Sequence, residues 1–148
     1  MLLNLGGMLP GYLVFGVLAD RVGRKPTLVA YLLAAALLVP LFAAARTPFT
    51  ILLTGGCVAF FGTGFFTGSG ILGSELFPAS IRATALGLTY TGARGLSALA
   101  PLVIGRLAEH RGLSYAFGAS ALGFALAALA ALTLPEPDSI VADSIAAV

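Results

Sequence analysis

Five long apolar runs, parted by a handful of charges, constrain this chain more than any other feature. They are Met1–Ala19, Thr27–Ala45, Phe49–Ser74, Ala83–Gly105 and Leu113–Leu134. Asp20-Arg21 ends the first, Arg46-Thr47-Pro48 the second, Glu75 the third and Pro135-Glu136-Pro137 the fifth. The fourth is interrupted only by Arg94. Each run holds 19 to 26 residues. At about 1.5 Å per residue, each reaches roughly 28–39 Å as a helix, enough to cross a ~30 Å hydrocarbon core. In lipid every backbone N–H and C=O must be satisfied within its own segment, which requires helices. A β-barrel would show alternating segments of about ten residues, and these runs do not alternate. The expected fold is all-α: a polytopic transmembrane bundle over residues 1–134, with spans at about 1–19, 27–45, 49–74, 83–105 and 113–134. Residues 135–148 form a short acidic tail.

Composition points the same way. Of 148 residues, 59 % are apolar and only 9 % are charged. A soluble domain carries about 25 % charge, and so sparse a set cannot coat a water-facing surface. The lipid bilayer is therefore the first expected partner. Nucleic acid is disfavoured, because the net charge is only +2 and no basic stripe carries aromatics. Cys57 is the one cysteine, so no internal disulfide and no cysteine-rich metal site is expected. His110 has no Ser, Asp or metal-ligating neighbour in reach by sequence, so no catalytic residues, no metal and no cofactor are assigned.

Orientation follows from the cations. Arg21, Arg24 and Lys25 form the densest cluster, which places their loop in the cytoplasm. Five spans then put the Arg82 loop and the tail on the same side, with Arg46, Arg106 and Arg111 outside. A cleaved signal peptide would carry cations before its apolar stretch, and here they follow it. Met1 stands already inside a span, which reads as a chain whose upstream part is missing.

The first loop reads Gly16-Val17-Leu18-Ala19-Asp20-Arg21-Val22-Gly23-Arg24-Lys25. Gly16 near a helix end permits close approach of a neighbour. Asp20 can accept bonds from the amides that open another helix. Gly23 suits a tight turn at positive φ. Arg21, Arg24 and Lys25 face headgroups or pair with carboxylates. This run resembles the signature G-x-x-x-D-[RK]-x-G-[RK]-[RK] of the major facilitator superfamily, with every specified position filled. In that family the signature lies on the cytoplasmic side between helices 2 and 3, and recurs between helices 8 and 9.

The second loop, Glu75-Leu76-Phe77-Pro78-Ala79-Ser80-Ile81-Arg82-Ala83, resembles the E-x-F-P-x-x-x-R-A element of sugar and organic-acid porters between helices 10 and 11. Pro78 should break the third helix and Ser80 cap the next. Glu75 is expected to pair with Arg21 or Arg24, with Arg82 joining, so that the cluster locks one conformation and releases in another. The fourth span, with Tyr90, Gly92, Arg94-Gly95 and Ala100-Pro101, is similar to helix 11 of organic-acid/proton symporters. Where many relatives have Tyr-Asn-x-Gly-Arg, this chain has Tyr90-Thr91-Gly92-Ala93-Arg94. The likeness maps the chain to helices 8 through 12, although analogous loops also occur in the N-terminal half. It implies a partial major-facilitator fold. The implied protein is a multi-pass carrier of the cell's inner or plasma membrane. It would move a small organic solute by alternating access, by symport in the organic-acid branch, with the N-terminal half as partner.

Arg94 is the one permanently charged residue deep in a run. A charge there costs from about 2.5 kcal/mol upward, so it should face the bundle interior or a water-filled cavity. Its planar guanidinium suits a carboxylate. Two readings stand: Arg94 attracts an anionic small-molecule substrate, with Tyr90 one turn away on the same face, or it pairs with a carboxylate or carbonyls elsewhere. A sugar-type substrate is the alternative within the family, and a self-contained five-helix scaffold the alternative outside it. Gly68-Ser69-Gly70-Ile71-Leu72-Gly73 spells G-x-G-x-x-G. A dinucleotide site needs a strand before that motif and a helix opening after it, and neither is present. Gly64-x-x-x-Gly68 and Ser69-x-x-x-Gly73 instead offer small ridges for close helix contact.

Overall fold

The computed structural model describes the backbone of residues 4–134, and the side chains within it except those of residues 4, 5, 75 and 76. The tail 135–148 lies outside the described residues. All regular structure among the described residues is helical. A π-helical turn, Asn4–Met8, leads into α1 (Leu9–Val22). Next comes α2 (Arg24–Ala44), separated from α1 by one residue. That residue, Gly23, has φ 111° and ψ 153°, a conformation strained for any residue with a Cβ. Thr27 Oγ1 donates to the Gly23 carbonyl at 2.7 Å and fixes the turn from behind.

The third helix, α3 (Pro48–Leu76), opens on a capping box. The Thr50 amide donates to Thr47 Oγ1 at 3.2 Å, and the Thr47 amide to Thr50 Oγ1 at 3.1 Å. Pro48 fills the first helical position, where its missing N–H costs no bond. Pro78 follows the end of the helix. The chain continues through α4 (Arg82–Ser97), α5 (Ala100–Arg111) and α6 (Leu113–Leu132). Gly112, at φ 89° and ψ 163°, is the whole link between the last two.

The fourth apolar run thus differs from the continuous span expected at 83–105. It breaks at Ala98-Leu99, and its second helix runs on through the charged residues to Arg111. The break has a local cause. Pro101 has no N–H to give the Ser97 carbonyl, and its ring crowds that same group. The chain answers with a tightened turn, in which the Leu99 amide donates to the Leu96 carbonyl at 3.1 Å. The extension to Arg111 is equally local: nothing in Arg106–Arg111 stops a helix, and Gly112 does. Ser80 makes no cap; Ile81 occupies that position without a side-chain bond. Among the described residues, three helices are long and apolar enough to cross a membrane: Arg24–Ala44, Pro48–Ser74 and Leu113–Leu132.

Packing divides these helices unequally. α2 lies between α3 and α6, and α1 lies against α3 and α2. α2 and α6 run antiparallel: Phe42 meets Phe117 at one end (5.6 Å between ring centres), and Lys25 meets Leu134 at the other. The core gathers Phe15, Ala19, Leu28, Tyr31, Leu32, Leu72, Ala128 and Ala131. Tyr31 is its hub, with ring centres at 5.0 Å to Phe15, 5.1 Å to Phe61 and 5.8 Å to Phe60. Its hydroxyl donates to the Gly11 carbonyl at 3.4 Å. Between apolar helices in lipid, packing rather than water exclusion supplies the attraction. Glycines make that packing possible. A Cβ on Gly11 would strike the Phe60 carbonyl, one on Gly64 the Tyr31 ring, and one on Gly68 the Phe15 ring. By contrast α5 packs chiefly along α6, and α4 meets α3 near its own start, where Leu86 faces Gly73. No side chain on either is buried.

Candidate functional site

Two places hold the polar groups that the sequence singles out. The first is the end of the bundle where α1, α3 and α6 finish and α2 and α4 begin. Ala19, Leu28, Leu72 and Ala131 share one cluster there, which brings four of these helix ends together, and α4 starts against the end of α3, where Leu86 faces Gly73. Asp20 and Arg21 occupy the last turn of α1 and are exposed. Arg24 and Lys25 form the first turn of α2 and are half-buried. Lys25 Nζ donates to the Leu134 carbonyl at 2.6 Å. That places a cation just past the carbonyl end of α6, where the helix dipole is negative. Arg82 Nε donates to the Phe77 carbonyl at 3.1 Å, and the Ile81 and Arg82 amides donate to the Pro78 carbonyl at 3.1 and 3.0 Å. Arg82 therefore closes its own loop. The Glu75 side chain, and with it the expected pairing to Arg21 or Arg24, lies outside the described residues. Gly16 serves no contact among the described residues, since a Cβ there would meet nothing within 4 Å.

The second place is α4. Tyr90 and Arg94 stand one turn apart, and the guanidinium carbon lies over the Tyr90 ring at 5.0 Å from its centre. Tyr90 is 56 % exposed, and every residue from 91 to 100 is exposed. Gly87, Tyr90, Thr91, Arg94 and Ala98 recur at helical spacing and so share one face. The hydroxyls of Thr89 and Ser97 return to their own helix, bonding the Ala85 and Arg94 carbonyls at 2.8 Å each. Arg94 has no carboxylate partner among the described residues. Of the four packed helices α4 touches α3 alone, and its residues 87–100 are exposed on every side among the described residues.

A third feature is apolar. A pocket of about 430 Å³ lies between the start of the chain and α3, lined by Gly7, Leu52, Gly56, Cys57 and Phe60 among others. It offers no charged group to a solute.

Sequence reasoning missed three residues that organise these places. Tyr31 is one, although a hydroxyl in mid-run always requires a partner in lipid. Gly7 and Gly11 are the others, set against Gly56, Ala59 and Phe60 of α3. Their four-residue spacing is the same small-xxx-small signal.

Comparison with known proteins agrees with this architecture. The model of the Major Facilitator Superfamily matches residues 1–146. A Haemophilus influenzae protein named for metabolite transport is 33% identical over 111 residues, 75% of this chain and 26% of its own length. A Cupriavidus pinatubonensis protein named for 4-methylmuconolactone transport is 34% identical over 146 residues, 94% of this chain and 33% of its own length. The niacin transporter NiaP of Acinetobacter baylyi is 33% identical over 104 residues, 70% of this chain and 24% of its own length. The chain thus spans a quarter to a third of the length of these relatives. With its gathered helix ends, its glycine-turned loop and this match along nearly its whole length, the chain belongs to the major facilitator superfamily.

Proposed function

We propose that this chain is the helix 8–12 portion of a secondary carrier for small organic anions, and that α4 forms one wall of the solute path. The observation that carries the reading is the α4 face. It bears a stacked Tyr90–Arg94 pair at 5.0 Å, lies in an otherwise apolar run, and is left uncovered by the four helices that pack together. A cation in that setting needs water or a counter-charge. A solute carboxylate supplies the counter-charge, and the path between two halves of a carrier supplies the water. The relatives support an acid over a sugar: niacin and 4-methylmuconolactone each carry a carboxyl group. Residues 20–26 and the tail then lie on the cytoplasmic side of the cell's inner or plasma membrane. A scaffold has no use for an uncovered arginine face at bilayer depth. The experiment is uptake of labelled nicotinate by cells making the complete carrier, in competition with benzoate, lactate and glucose. The reading expects saturable uptake that carboxylates block and glucose does not. Block by glucose alone sinks it in favour of a sugar porter.

The gathered helix ends act as a gate in this reading. Arg21 and Arg24 stand at the end of the bundle to which Glu75 belongs by chain position, while Arg82 and Lys25 hold backbone carbonyls. Glu75→Arg alone is expected to cut uptake about tenfold, and adding Arg21→Glu or Arg24→Glu to restore most of it. Double variants no better than the single one would remove Glu75 from the gate.

A further inference from the structure

The Tyr90–Arg94 pair leaves open what the tyrosine itself does. Its hydroxyl has no hydrogen-bond partner among the described residues, so the ring is the part in use. An arginine side chain has several rotatable bonds, and a solute must find the guanidinium in one place to bind it through two parallel N–H···O bonds. On α4 little else could hold it. Neighbouring Gly87, Gly92 and Gly95 have nothing within 4 Å of a Cβ, and the Thr89 and Ser97 hydroxyls are spent on their own backbone. No described carboxylate reaches it. The aromatic face at 5.0 Å is the one described group that does.

We infer that Tyr90 is a positioning residue: its ring face holds the Arg94 guanidinium by cation–π attraction, and leaves the N–H edge free for the solute carboxylate. A guanidinium lying on a ring uses its π-face, not its donors, so the contact orders the side chain without consuming a hydrogen bond. Its value rises as the site is closed off from water. The hydroxyl contributes nothing to this role. The inference rests on the reading of Arg94 as the anion anchor.

Two measurements test it. In the carrier containing this chain, Tyr90→Leu should raise KM for nicotinate about tenfold with Vmax little changed, while Tyr90→Phe stays within about twofold of the parent. The abundance of each variant in the membrane controls for folding. In the purified carrier containing this chain, in detergent, the side-chain Nε–Hε resonance of Arg94 should carry a ring-current shift. That shift should persist in Tyr90→Phe and vanish in Tyr90→Leu. A phenylalanine variant as poor as the leucine one overturns the inference, because the hydroxyl would then be touching solute. So does an unshifted Arg94 resonance, or a Tyr90→Leu carrier with parental KM. If instead Arg94→Ala transports nicotinate normally, it is the anion-anchor reading that fails.

Discussion

Arg94→Ala is expected to lower kcat/KM for carboxylate uptake about 100-fold, with Arg94→Lys intermediate. The magnitude follows from what the residue does. A desolvated, charge-assisted pair is worth about 2–5 kcal/mol when one partner is truncated. Each 1.4 kcal/mol is tenfold in affinity. Lysine keeps the charge but offers a point rather than a fork, and loses the two-bond geometry. The variant should insert and fold normally, because Arg94 lies on an exposed face and supports no packing. Uptake kinetics normalised to membrane abundance make the measurement. Parental kinetics in both variants would assign Arg94 to a structural pairing outside this chain.

The second large effect falls on folding. Gly11→Leu should destabilise the protein by at least about 3 kcal/mol, at or beyond the usual ceiling for overpacking. The reason is geometric. A Cβ at Gly11 meets the Phe60 backbone carbonyl, which cannot turn aside as a side chain would. The helices must then part, and Tyr31 loses the carbonyl that its hydroxyl bonds at 3.4 Å. An unpartnered hydroxyl in an apolar core adds its own penalty of about 1–3 kcal/mol. Gly70→Ala, on the same α3 seam helix but with open space around its Cβ, is the control and should be neutral or slightly stabilising. Thermal unfolding in mild detergent, read by circular dichroism, compares the two. Equal melting of Gly11→Leu and the parent would show that α1 and α3 are not in contact at this point.

The helical class was legible because the apolar runs are long and the charges between them few. The turn at Gly23 was legible because it uses a residue with a strong backbone preference, whereas Thr47-Pro48 stood only as the end of the second run and not as the cap of α3. The internal break at Ala98-Leu99 was not read, because hydropathy does not register a proline one turn ahead. The helical course of Arg106–Arg111 was missed for the converse reason: charges end an apolar run without ending a helix. At the site, Tyr90 and Arg94 were visible as a polar pair at four-residue spacing. Their stacking, and the absence of any described helix over them, needed coordinates. Lys25 illustrates the remaining gap. Its place in the loop motif is plain in the sequence, but its bond to the Leu134 carbonyl joins residues 109 positions apart, and no local pattern announces such a contact.

That α4 turns its Gly87–Ala98 face toward water at bilayer depth is the claim on which everything else stands. Single cysteines placed along α4 in a Cys57→Ser background, reacted with a charged, membrane-impermeant thiosulfonate, test it most directly. The account predicts fast reaction at Gly87→Cys, Thr91→Cys and Ala98→Cys, slowed by nicotinate. It predicts little reaction at Thr89→Cys and Leu96→Cys on the far side of the helix. Reaction confined to positions 89 and 96, or none at 87, 91 and 98, would put this face in lipid or against protein, and contradict it.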